Sequence, residues 1–163
     1  MKYSNIKYFC TTNGCGVRTA LFVSGCKFHC KGCFNSKAWD FNYGSEFNDS
    51  VIDKILDSID TPYNSGLSIL GGEPLNNENR KGVERLIDRF INRFRGTKDI
   101  WMWTGYYIKD MDDEQKKIIS KVDYVVDGRF EIDKYNDELR FKGSSNQTIW
   151  YNKHGEFVKS DMN

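Results

Sequence analysis

Four short apolar runs alternate with amphipathic helical stripes, and that alternation leaves few folds open. The runs lie at 19–23, 67–70, 100–103 and 124–126, and each ends at a turn pair or glycine: Ser24-Gly25, Gly71-Gly72, Thr104-Gly105 and Asp127-Gly128. Between them, Val51, Ile52, Ile55, Leu56 and Ile59 recur at helical spacing, with Ser50 and Asp53 placed as a capping pair. Val83, Leu86, Ile87, Phe90, Ile91 and Phe94 make the strongest stripe, with Gly96 as its stop, and a weaker helix is expected over 113–121. Strands alternating with helices imply βαβ units and a parallel sheet. The 163 residues are too few for a complete eightfold barrel, which takes about 250. The expected class is therefore α/β: a partial, open βα barrel with a mainly parallel sheet. Its strands all end on one edge, so the loops starting at Gly25, Gly71, Thr104 and Asp127 should gather around one site. One domain over 1–163 is expected. Further strands are expected at 139–141 and 148–151, with a flexible tail over about 149–163 as the alternative reading.

Composition narrows the class of function. Lys and Arg total 24 against 23 Asp and Glu, a net charge of +1, which gives no support for steering toward nucleic acid or an anionic membrane. No stretch approaches the ~18 apolar residues of a membrane span. The opening Met1-Lys-Tyr-Ser-Asn-Ile-Lys-Tyr-Phe-Cys10 has no apolar h-region. A cytoplasmic setting is expected, where thiols stay reduced and clustered cysteines point to metal before disulfides.

Three of the five cysteines, Cys26, Cys30 and Cys33, form C-x3-C-x2-C in the loop after the first apolar run. Thiolates suit soft metals and iron–sulfur clusters. Ordinary four-iron clusters take four cysteines, so three close together leave one iron open for chemistry. The competing reading is structural zinc, with Cys10, Cys15 or His29 as fourth ligand. Zinc sites commonly use pairs about two to four residues apart joined by a longer loop. Three cysteines within eight residues fit that layout poorly. Cys10 and Cys15 read as ordinary core or loop cysteines, His29 as a loop residue and His154 as solvated. The second run ends in Gly71-Gly72-Glu73-Pro74. Glycines there let backbone approach a ligand, and Pro74 fixes an extended exit. Alone, the segment would be a plain tight turn.

The two motifs together, in this order after successive strands, resemble the radical S-adenosylmethionine superfamily. The resemblance implies that Cys26, Cys30 and Cys33 each ligate one iron of a [4Fe–4S] cluster, and that the amino and carboxylate groups of S-adenosylmethionine chelate the fourth. It implies cofactor contacts from Gly71, Gly72 and Glu73, and from Gly32, Cys33 and Phe34. The superfamily usually has an aromatic residue just before the third cysteine. Here Gly32 stands there and Phe34 follows. Asn13-Gly-Cys-Gly-Val-Arg-Thr19 is similar to the N-G-x-G-x-R-T of activating enzymes of glycyl radical proteins, with Cys15 where proline is common. Trp101-Met-Trp-Thr-Gly-Tyr106, Val126-Asp-Gly-Arg-Phe130 and Phe141-Lys-Gly-Ser-Ser-Asn-Gln147 look like segments of the activating proteins of anaerobic (class III) ribonucleotide reductases. The likeness runs from about Gly14 to Gln147.

What the resemblance implies is an activase. A reduced cluster cleaves S-adenosylmethionine to methionine and a 5′-deoxyadenosyl radical, which takes hydrogen from a glycine of the reductase large subunit. A low-potential donor such as a flavodoxin-like protein supplies the electron. The cofactors carry this chemistry, so no side chain is assigned as acid or base. The alternatives are the activase of a formate-lyase-like protein, a small-molecule radical enzyme, and a non-catalytic iron–sulfur or zinc module. Trp101 and Trp103 read equally well as strand packing. Asp127 and Arg129 can be a strand-end ion pair or ligand contacts, and 143–147 can be only a polar turn.

Overall fold

Period-two alternation sorts the side chains of the central strands onto two unlike faces, and the rest of the fold follows from that sorting. The structure, a computed structural model, describes residues 1–162. In chain order the elements are strands β1 (Lys2–Cys10), β2 (Val17–Val23) and β3 (Ser45–Glu46), helix α1 (Asp49–Ile59), β4 (Asn64–Gly71), α2 (Asn77–Phe94), β5 (Asp99–Trp103), α3 (Asp113–Ile119), β6 (Tyr124–Asp127), β7 (Thr148–Lys153) and β8 (Glu156–Lys159). All eight strands form one sheet in the order β3-β1-β2-β4-β5-β6-β7-β8. The β2–β4, β4–β5 and β5–β6 pairings are parallel. The flanking pairings are antiparallel. The sheet is thus mixed, parallel at its centre where the sequence alternates strand and helix, and antiparallel at both flanks.

On one face, Leu21, Val23, Leu67, Ile69, Ile100, Met102 and Val125 pack against Ile52, Ile55, Ile59, Val83, Leu86, Ile87 and Ile118 of the three helices. Burying one such aliphatic side chain contributes about 1.5–3 kcal/mol, so this layer carries most of the stabilisation. The other face bears a second cluster of Trp101, Val126 and Ile149, with Trp103, Tyr124 and Phe141 against it. Trp101 lies stacked on Tyr124 with ring centroids 4.4 Å apart.

A buried charge in β2 ties the central strands together. Arg18 has no exposed surface; it pairs with Asp99 at 2.5 Å and donates to Ser68 Oγ and the carbonyls of Cys15, Leu67 and Asp99. One guanidinium so satisfied can sit in a sheet interior, and it cross-links β2, β4 and β5.

Several local expectations are corrected. The cap of α1 is Asn48, whose side chain accepts from Val51 N at 3.1 Å, rather than Ser50 with Asp53. α2 ends on Arg95 in the left-handed conformation, with Gly96 following, and α3 stops at Ile119. Residues 139–141 form no strand; Phe141 has a φ of 61° and its ring packs on Trp101. The strand expected at 148–151 is present as part of β7, and with β8 it makes residues 148–159 of the segment read alternatively as a tail a β-hairpin: Lys153 pairs with Glu156 across His154 and Gly155. Both turn residues have positive φ, 56° and 94°, the signature of a type I′ turn, whose twist suits a hairpin. β1 carries no apolar run in the sequence because Lys2, Ser4, Asn5 and Lys7 break up its apolar residues, and all but Cys10 are half-exposed or exposed.

Candidate active site

The C-terminal ends of β2, β4, β5 and β6 surround a cavity of about 460 Å³. Its lining includes Cys26, Cys30, Cys33, Gly71, Gly72 and Glu73, so the two sequence motifs meet at one place. Phe34 and Phe130 stand at the rim, their rings 5.3 Å apart, and Phe34 is 76% exposed. Gly32 does not line the cavity. It has a φ of 74°, which glycine adopts freely, and it lets Cys33 N donate to Cys30 O at 3.1 Å in a tight turn. A side chain there would press on Ile132.

The cysteine loop leaves β2 and is pinned where it returns: Gly25 N donates to Ala38 O at 2.8 Å and Cys26 N to Trp39 O at 3.1 Å. All five cysteines are free thiols. Burial pushes the Cys26 thiol up to about 11, against backbone N–H donation from Phe28 and His29. Burial also raises Cys30, with Cys33 adding to the rise and the Phe130 N–H and the Arg129 charge opposing it. Thiolates so placed are costly until a metal neutralises them, so metal uptake here releases protons. The N–H groups aimed at the sulfurs are the kind of donor that orients thiolate ligands and tunes their charge.

The residues present fit a cluster with an open iron. Three thiols line one cavity, and no other cysteine does. Cys10 Sγ lies 3.1 Å from Asn13 Oδ1, and Cys15 packs its sulfur against Met162. His29 stacks on Trp39, ring centroids 4.5 Å apart. Each candidate for a fourth zinc ligand is thus engaged elsewhere. Among the described residues no three such side chains converge on a single ion. A cluster takes each thiolate on a separate iron.

The glycine loop is fitted to the cysteine loop. A Cβ on Gly71 would lie 2.6 Å from Val23 N, and one on Gly72 2.6 Å from Gly25 O. Gly72 N donates to Val23 O at 2.7 Å and Glu73 N to Gly25 O at 2.8 Å. The glycines are therefore required first for loop-on-loop packing. Glu73 is buried, and its carboxylate accepts from Leu75 N (2.9 Å), Thr104 Oγ1 (2.9 Å) and Gly105 N (2.7 Å). Burial still pushes its pKa up to about 7, these donors opposing. Its carboxylate thus ties the β4 loop to the β5 loop.

The ties continue around the rim. Thr104 N donates to Val126 O, Gly128 N to Tyr106 O, and Ile108 N to Asp127 Oδ2. Gln147 accepts from Gly143 N and Ser144 N and donates to Gly128 O, which makes residues 143–147 a lock on the β6 loop. Arg129 lies 4.4 Å above the Phe28 ring, an interaction that holds its charge at the cavity edge. Asp127 accepts from the Ile108 amide while Arg129 lies over Phe28, and among the described residues the two form no ion pair. Trp103 lines the cavity while Trp101 is wholly packing. Sequence reasoning placed the Thr104 loop at the site but assigned no role to Thr104 or Phe28, and it missed Asn79, which no motif spacing marks.

Comparison with known proteins agrees with this construction. The family model described as a 4Fe-4S single cluster domain matches residues 12–150. The chain is similar to the anaerobic ribonucleoside-triphosphate reductase-activating protein of Vibrio cholerae, 38% identical over 91% of this chain and 97% of that protein. It is 37% identical to the Salmonella typhimurium protein of the same name, over 91% and 97%. The Escherichia coli protein is 37% identical over 84% and 90%. With its three cavity thiols and this extent of likeness, the chain belongs to the family of anaerobic ribonucleoside-triphosphate reductase-activating proteins and carries a 4Fe-4S single cluster domain.

Proposed function

We propose that this chain is the activase of an anaerobic ribonucleotide reductase, generating a glycyl radical on the large subunit from S-adenosylmethionine. The observation that carries the reading is the meeting of three free thiols and the Gly71–Glu73 backbone in one cavity at the strand ends. Cys26, Cys30 and Cys33 are the residues that hold the cluster, which when bound supplies the electron that splits the carbon–sulfur bond. The chain's own part is to orient and shield. Phe28, Phe34, Trp103 and Phe130 line or rim the cavity with rings that exclude water. The loop ties through Glu73, Thr104 and Gln147 fix the walls. We read the eight-stranded sheet as a partial, open βα barrel, because α1, α2 and α3 pack on one face while the cavity-lining Trp103 and Phe141 belong to the other.

The electron donor is a low-potential protein of the flavodoxin-like kind. Lys31 and Lys37 are exposed on the cysteine loop, which carries no acid between Gly25 and Trp39, while Lys27 pairs with Glu78. That suits an acidic partner steered to the cluster's edge. A reducing, cytoplasmic setting fits five free thiols. No helix among the described residues is long and apolar enough to cross a membrane. The test is anaerobic reconstitution with iron and sulfide, then reductant and S-adenosylmethionine. Methionine and 5′-deoxyadenosine should appear together by chromatography and vanish in Cys30→Ala. A full, reducible cluster that yields neither product refutes the reading.

A further inference from the structure

Asn79 sits in the first turn of α2 with no exposed surface. Its Nδ2 donates to Ser24 O at 2.9 Å and to Glu73 O at 2.9 Å, with Gly25 O at 3.4 Å. Three carbonyls can only accept, so the amide nitrogen must face them. Its Oδ1 is then left buried with no hydrogen-bond partner, an arrangement that native structures rarely keep without a reason. Ser24 and Gly25 lead directly into Cys26, and Glu73 closes the glycine loop. Among the described residues Asn79 is the one side chain that donates to carbonyls of both loops. It does so from a helix anchored in the core through Val83, Leu86 and Ile87.

We infer that Asn79 is a positioning residue that sets the spacing between the cysteine loop and the glycine loop. It thereby sets how the cluster meets the amino end of S-adenosylmethionine. This rests on the function proposed above. Of the two backbone bonds here, Gly72 N to Val23 O ties the glycine loop to the end of β2, and Glu73 N to Gly25 O joins the two loops to each other. Asn79 references both to one rigid element. Sites of this kind tolerate displacements of only about 0.5 Å before the constellation loosens. The cluster itself needs only the cysteine loop, so losing Asn79 spares iron binding and weakens the cofactor's fit.

The experiment compares reconstituted wild type with Asn79→Ala, Asn79→Ser and, as control, Asn152→Ala. Asn152 is a similar clamp away from the cavity, donating to Ser120 O at 2.8 Å and Val122 O at 3.0 Å. Three readouts are taken: iron and sulfide per chain, thermal unfolding, and titration of the reduced cluster's electron paramagnetic resonance signal with S-adenosylmethionine. The Asn79 variants should keep wild-type iron, bind S-adenosylmethionine at least tenfold more weakly, and give an altered bound-state signal. Asn152→Ala should lower the unfolding temperature while titrating as wild type. The inference is overturned if the Asn79 variants titrate as wild type, or if they lose response only in step with lost iron. Should Asn79→Ala fail to fold, Asn79→Ser, which keeps a hydroxyl donor, decides by the same criteria. A wild-type cluster that ignores S-adenosylmethionine would instead remove the function on which the inference rests.

Discussion

Replacing Gly72 by alanine tests whether the two loops are packed as closely as the structure has them. The new Cβ would stand 2.6 Å from Gly25 O and 3.0 Å from Ala38 O, both backbone atoms. To reach ordinary contact at 3.4 Å, the Gly25 carbonyl must retreat by about 0.8 Å. That carbonyl accepts from Glu73 N, and its own residue donates to Ala38 O, so the retreat strains both bonds. Overpacking of this kind costs about 1–3 kcal/mol, and weakening two backbone bonds moves the total toward the upper end. For a chain of this size, 3 kcal/mol corresponds to a fall in Tm of roughly 6–12 °C. Because the strain falls on the bonds that join the glycine loop to the cysteine loop, S-adenosylmethionine affinity should fall by more than iron content. The assay is thermal unfolding of anaerobic apoprotein, followed by iron content and S-adenosylmethionine affinity after reconstitution. Gly96→Ala is the reference: it has a φ of 82° but no neighbour within 4 Å, so it should cost only the backbone strain of about 1–2 kcal/mol and keep full iron. If Gly72→Ala unfolds with or above Gly96→Ala and binds S-adenosylmethionine as wild type does, the packing argument is wrong.

Other perturbations read other parts of the account. Cys26→Ala, Cys30→Ala and Cys33→Ala should each abolish the visible absorbance and iron of the reconstituted protein, while Cys10→Ala and Cys15→Ala keep both. Arg18→Met strands the buried carbonyls of Leu67 and Asp99 and should cost about 3 kcal/mol by urea unfolding; an unchanged midpoint would contradict the clamp across β2, β4 and β5. Glu73 gives a pH signature in the apoprotein. Its folded pKa is raised from 4.5 to about 7, so its stabilising share is full below pH 4.5 and is lost as pH climbs toward 7. The stability of wild type relative to Glu73→Gln should therefore fall between pH 5 and pH 8, by at most ~3 kcal/mol, and a flat difference would refute the buried-carboxyl assignment.

How far the sequence reaches can be seen residue by residue. β4 and β5 were legible because both of their faces are covered, which leaves near-continuous apolar runs such as Leu67-Ser-Ile-Leu70. β1 was not, since Lys2, Ser4, Asn5 and Lys7 give a polar pattern that only pairing with β2 makes a strand. The hairpin of β7 and β8 turns on His154-Gly155, where histidine occupies a position that asparagine more commonly marks. The site divides the same way. Spacing alone brought out Cys26, Cys30 and Cys33, because ligands on one short loop must lie close in the chain. Gly72 was visible but its neighbour was not: the atom it accommodates is Gly25 O, which only the fold brings near. Asn79 and Thr104 act through hydrogen bonds between segments remote in sequence, and no local pattern encodes those.

The central claim is that this cavity delivers a radical to a protein. The direct measurement is electron paramagnetic resonance on the anaerobic reductase large subunit, mixed with the reconstituted chain, S-adenosylmethionine and a low-potential reductant. A glycyl doublet that forms on the large subunit with wild type, and is lost with Cys30→Ala, is the predicted result. S-adenosylmethionine cleavage without any glycyl signal on the cognate large subunit would contradict it.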